Sequence, residues 1–269
     1  MINLLRGEFY KLIHNKCFYI CCMVVLIGAF SMYGMFSLAD AVQNGEMQSE
    51  NLVVTTEGAT VWDEMDVFSI AKSLFASVGE IIVAIYIAIT LFGDYANGAI
   101  KNVVGKGYER TGVFLSKFLM GAFGAVVIEI VLALGVLLCE LVVLKGERLS
   151  GAVLADYCGF VGMQLLFVVA LAGIMFFINQ LCRNLGLGIA ISVCLIMFSS
   201  LITMGINTIL QYFHCDVNVC EYWILDLISE CTAQGMKSEF LVRALLSCLA
   251  WTVVSFAVGV IHFRKADVK

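Results

Sequence analysis

Apolar residues gather in six long blocks, with polar stretches between them. A helix needs about 20 apolar residues to cross a hydrocarbon core of roughly 30 Å. Residues 17–38, 74–92, 118–144, 158–178, 185–206 and 240–263 each make such a run, and the third, fifth and sixth are long enough to tilt. The pattern predicts an all-α integral membrane protein, a single domain of six transmembrane helices. The chain has no proline, so the spans are expected without proline kinks.

The polar stretches carry patterns of their own. In residues 2–15, Leu5, Phe9, Leu12 and Ile13 recur at helical spacing, with Arg6, Glu8, Lys11 and His14 between them. That predicts an amphipathic helix lying along the membrane interface, its basic residues reaching toward lipid headgroups. Residues 93–117 are too many for a tight turn and too polar for the membrane. Within them Ala99–Val104 can form a short helix bracketed by Gly98 and Gly105. In Glu221–Thr232, Tyr222, Leu225 and Ile228 or Ser229 can share a helical face, while Tyr222 and Trp223 suit a membrane–water boundary. A short helix dipping into the outer leaflet is expected there.

Composition removes the soluble alternatives. Hydrophobic residues make up 61% and charged ones 14%, with a mean hydropathy of +0.97; soluble domains average about 45–50% and about 25%. The net charge of −5 argues against a nucleic-acid-binding surface. Orientation follows from Lys and Arg, which stay with cytoplasmic loops. Arg6, Lys11, Lys16, Lys101, Lys106, Arg110, Lys117, Arg183, Arg264, Lys265 and Lys269 fall on one set of segments. The opposite set holds only Lys72, Lys145, Arg148, Lys237 and Arg243. Both termini are therefore expected in the cytoplasm. The first run is longer than a signal-peptide core and lacks a small-residue cleavage site, so it is expected to be retained. The outward segments 39–73 and 207–239 are acidic, with Asp63, Glu64 and Asp66 close together, and they attract cations.

Candidate chemistry is sparse. Most of the eleven cysteines sit in apolar runs, and neither a CxxC pair nor zinc-ligand spacing occurs, so no metal site is expected. Cys215, Cys220 and Cys231 share the last outward segment and leave one disulfide open. Gly105-Lys106-Gly107 fails as a phosphate loop, because the motif needs Gly where Ile100 stands and Ser or Thr where Gly107 stands. No HExxH, GxSxG or pair of membrane aspartates supports the alternative of an integral-membrane enzyme. A non-pumping membrane sensor or immunity protein is a third reading. Glu80 and Glu129 fall within spans, where a charge costs at least about 2.5 kcal/mol. They are candidates for a transport path.

Two segments carry a family resemblance. GEFYKLIHNKCFYI leads a basic amphipathic start into the first span, and FGDYANGAIKNVVGKGYERTGVFLSKFL follows the second. With the six spans, they resemble the permease subunits of type-2 ABC exporters, especially small Gram-positive ones tied to lantibiotic immunity and peptide-antibiotic resistance. The strongest local match is residues 92–118. The resemblance implies a bacterial plasma-membrane permease that lacks enzymatic activity. ATP and Mg would be bound by a separate ABC ATPase, in two copies, and a second permease, identical or homologous, would complete the complex. Asp94, Gly98, Lys101, Asn102 and Arg110 would couple to the ATPase, and Leu5, Phe9 and Leu12 would belong to the interfacial helix that follows its movement. Asp63, Glu64, Asp66, Tyr222 and Trp223 are candidate outer contacts for a hydrophobic or cationic peptide beside membrane lipid.

Overall fold

Lipid offers backbone N–H and C=O groups no partner, so each apolar block must satisfy its own hydrogen bonds as a helix. The computed structural model describes residues 2–43, 67–96, 103, 105–143, 150–182, 184–213, 218–231 and 238–265. Among these the elements are α1 (Ile2–His14), α2 (Lys16–Gln43), α3 (Val67–Leu74), α4 (Glu80–Ala96), α5 (Arg110–Val143), α6 (Gly151–Leu181), α7 (Leu185–Tyr212), α8 (Ile224–Glu230) and α9 (Ser238–Lys265), with no strand. A π-helical turn, Phe75–Gly79, joins α3 to α4, and a 3₁₀ turn, Val219–Glu221, precedes α8. Among the described residues six stretches are long and apolar enough to cross a membrane: Lys16–Leu38, Val67–Asp94, Arg110–Val142, Gly151–Leu181, Leu185–Tyr212 and Ser238–Phe263, with mean hydropathies of 2.0 to 2.7. The expected six-helix, all-α membrane fold is what the chain adopts.

Several boundaries differ from those expected, each for a local reason. The second span begins at Val67, seven residues before the apolar run, because Val67, Ile70, Ala71 and Leu74 bury one face of α3 while Lys72 stays partly exposed. The third begins at Arg110 and not at 118, so part of the segment 93–117 is helical. α4 also reaches Ala96, leaving only residues 97–109 between the helices. The fourth starts earlier, where the side chain of Ser150 accepts a hydrogen bond from the Val153 N–H (3.3 Å) and caps the helix. Asn184 caps α7 in the same way through Gly186 N–H (3.1 Å), and that helix runs on to Tyr212.

α6 is the central helix, packed by α4, α5, α7, α8 and α9, with Phe160, Phe167, Leu171 and Met175 fully enclosed. α7 leaves Leu187, Met197, Leu201 and Met204 uncovered by protein. Near one end Phe114 meets Phe118, Phe176, Phe256 and Phe263, joining α5, α6 and α9 through stacked, tilted and edge-on rings at 5.3–6.4 Å. α1 packs on α5 at that end. α8 lies at the other.

α8 departs from its expectation. Tyr222 and Trp223 precede the helix and do not share a face with Leu225 and Ile228. Ile224, Leu225, Leu227 and Ile228 are all buried, because α8 packs against α6, α7, α9 and the π-turn instead of presenting an apolar face to lipid. Neither Cys220 nor Cys231 is in a disulfide; Cys231 is buried and Cys220 accepts a hydrogen bond from Asn207 Nδ2 (2.9 Å). Cys215, Gly98, Lys101, Asn102, Asp63, Glu64 and Asp66 lie outside the described residues, as does the expected short helix 99–104 apart from Val103.

Candidate functional site

Where the polar segment between α4 and α5 leaves and re-enters the bundle, four charges close into a ring. Asp94 stands near the end of α4 and Lys117 two turns into α5, and the two form an ion pair. α1 supplies the other two members, Glu8 and Lys11. Lys117 also reaches Glu8 (3.4 Å), while Lys11 bonds both Glu8 (2.9 Å) and Asp94 (3.1 Å). Each cation thus meets both anions, and the ring is neutral. The Lys117 side chain is only 6% exposed, so the ring compensates a cation that could not otherwise sit in an apolar helix. Burial opposes the charge on Lys11, but its bonds to Glu8 and Asp94 outweigh that and hold the ammonium above its usual value.

The ring opens onto a cavity of about 440 Å³ whose walls mix Tyr86, Thr90 and Met120 with Glu8, Lys11 and His14. α1 sits beside this cavity, packed on α5. Leu12 is buried, whereas Phe9 and Ile13 are 43% exposed, and Phe9 touches the equally open ring of Phe123 (6.1 Å). Leu5 is half-buried. Asn15 forms the joint to α2, its Oδ1 accepting from Cys17 N–H (3.0 Å). Of the sequence-derived coupling residues, Asp94 and Arg110 end up on helix ends, and Asp94 is in the ring. The sequence pattern did not mark Glu8, Lys11 or Lys117 as site residues. Their signals were an i,i+3 opposite-charge pair on α1 and a lysine at the close of a polar segment that opens with an aspartate.

Glu80 and Glu129 both point into the interior of this one chain, 4% and 1% exposed. Glu129 presses on the π-turn: a Cβ at Gly79 would lie 2.6 Å from its Oε1, so glycine makes room for the carboxyl. Neither Glu129 oxygen has a hydrogen-bond partner among the described residues. π-turns inside helices occur often at functional sites. Since any charge here is costly, Glu129→Gln, which keeps the shape, is expected to leave the melting temperature of the purified protein unchanged or raised. A drop of several degrees would show that the carboxylate itself is required.

At the opposite end, Trp223 and Trp251 meet edge to face at 5.0 Å, and Trp251 Nε1–H donates to the Tyr222 carbonyl (2.9 Å). Arg243 pairs with Glu221 and lies over the Phe240 ring at 5.9 Å. Tyr222 is half exposed. An aromatic and charged rim therefore ties α8 to α9 near a membrane boundary.

Six helices long and apolar enough to cross a membrane define a multi-pass protein, and the family match places it among the transport proteins of the bacterial plasma membrane. Residues 4–199, most of the chain, match the ABC-2 family transporter protein, and the chain belongs to that family. Members are the membrane subunits of ABC transporters and normally work with an ABC ATPase. No curated protein matches the chain.

Proposed function

We propose that this chain is the permease subunit of an ATP-driven exporter that removes a membrane-active cationic peptide, of the lantibiotic or related antibiotic kind, from the bacterial membrane. Both termini and residues 93–117 face the cytoplasm, where the segment docks on a separate ATPase that binds ATP and Mg. Two ATPase copies and a second permease, identical or homologous, complete the complex. The observation that carries this reading is the neck: in a chain of the ABC-2 family, the polar segment between the second and third spans is held at its base by charges from three elements. Asp94, Gly98, Lys101, Asn102 and Arg110 make the contact with the ATPase. On the outward side Asp63, Glu64 and Asp66 gather cations electrostatically, and Tyr222 and Trp223 offer an aromatic shelf at the lipid boundary.

Protection is the test. Cells that express the permease with its ATPase are expected to survive higher doses of a cationic lantibiotic than cells that express either alone. Neutralising Asp63, Glu64 and Asp66 together should weaken the protection, and more so at low salt, where attraction is less screened. Equal sensitivity with and without the complex, across several such peptides, would remove the substrate assignment.

A further inference from the structure

The ring of Glu8, Lys11, Asp94 and Lys117 has a geometry that stability alone does not explain. Replacing buried ion pairs by apolar side chains is often neutral or stabilising, whereas deleting one partner is strongly destabilising. Such a ring therefore adds little net stability, but it fixes position steeply. Two of its members lie on α1, one at the end of α4 and one on α5. Both bridges from α1 cross to a different helix: Lys11 to Asp94 and Glu8 to Lys117. Sliding or lifting α1 breaks both at once and leaves Lys117 short of a partner in a site only 6% exposed. Spreading the neck breaks Asp94–Lys117 and forces α1 to choose one side.

α1 also packs on α5, burying Leu12, while Phe9, Tyr10 and Ile13 are exposed and its joint to α2 is the Asn15 turn. To that packing the charges add a directional constraint that ties α1 to α4 as well as to α5.

We propose that the four charges form a clamp that makes α1 and both ends of the 93–117 segment move as one body, with Glu8 and Lys117 as positioning residues for the surface that meets the ATPase. This inference rests on the reading of 93–117 as the docking segment. The clamp acts through that segment and touches neither nucleotide nor substrate.

The test uses the complete permease–ATPase complex in lipid nanodiscs, with ATP as the only added ligand. Two readouts are taken: copurification of the ATPase, and the ATP hydrolysis rate relative to the ATPase alone. Wild type is expected to copurify and to alter that rate. Lys117→Met should copurify as wild type does, yet lose about tenfold of the permease-dependent change in kcat, a usual size for coupling between sites. KM for ATP should stay constant, because the ATP site is untouched. Lys11→Met, which removes the more exposed cation, should lose part of the effect. Lys117→Arg should keep it. Glu8→Gln, which removes the α1 anion that reaches Lys117, should lose a comparable share and keeps the test open if Lys117→Met proves too unstable to purify. An unchanged kcat in a folded Lys117→Met or Glu8→Gln variant would overturn the clamp. Failure of the wild type itself to copurify would overturn the docking reading, a different result from either.

Discussion

Gly124→Leu is expected to abolish recovery of folded, monodisperse protein from detergent, while Gly124→Ala should lower its melting temperature measurably. Gly124 lies where α1, α4 and α5 meet. A Cβ built there would overlap the Tyr86 hydroxyl and come within 2.6 Å of Tyr86 Cζ and 3.0 Å of Leu12 Cδ1. Tyr86 cannot swing away, because it is 1% exposed and its rigid ring stands edge-on to Phe18 at 6.1 Å. Overpacking of this kind costs typically about 1–3 kcal/mol for a few added methylenes, and a leucine adds a branched side chain to that first collision. The rescue distinguishes packing from a generic intolerance of helix substitution. Gly124→Ala combined with Tyr86→Leu should recover more of the melting temperature than the sum of the single effects allows, as expected of residues in contact. Additive losses in the double variant would show that the contact does not limit stability.

The spans were legible because lipid imposes a crude rule: every crossing must be a long, nearly uncharged helix. The same rule misplaced their ends. Lys72 and Lys117 read as polar boundaries, yet both sit inside helices, and Lys117 does so because its partners neutralise it. Glu8, one of those partners, is 109 residues away along the chain. No local window can register a compensation made at that separation. α1 was legible through the spacing of Leu5, Phe9 and Leu12, but the side it presents to protein was not, since Leu12 is buried while Phe9 remains open.

The region after α7 shows the converse error. Helical periodicity placed Tyr222 with Leu225 and Ile228, but the chain turns at Val219–Glu221 and the helix starts only at Ile224. The turn is fixed by Asn207, whose Oδ1 accepts from Val219 N–H (2.7 Å) and whose Nδ2 bonds Asn218 (2.8 Å). That anchor belongs to another helix and has no signature in the local pattern. Of the ring at the neck only Asp94 emerged as a coupling residue, because Glu8, Lys11 and Lys117 matter through contacts that only the assembled bundle creates.

Reversing both Lys101 and Arg110 to glutamate is expected to bring transport to background while the permease still inserts at normal levels. Arg110 opens α5, and a glutamate in the first turn of a helix is favoured by the helix dipole. Normal insertion and an unchanged melting temperature of the variant are the controls that let a loss report on the partner. Across a protein interface, like charges brought together cost several kcal/mol, enough to lower occupancy of a docked complex by orders of magnitude. The expected outcome is loss of ATPase copurification together with loss of protection. This differs from the result for Lys117→Met, where the ATPase should stay bound but respond weakly. Docking and transmission thereby become separable properties of one segment, the first carried by Lys101 and Arg110 and the second by its buried base. A double variant that still copurifies and transports in full would show that the ATPase meets this permease elsewhere.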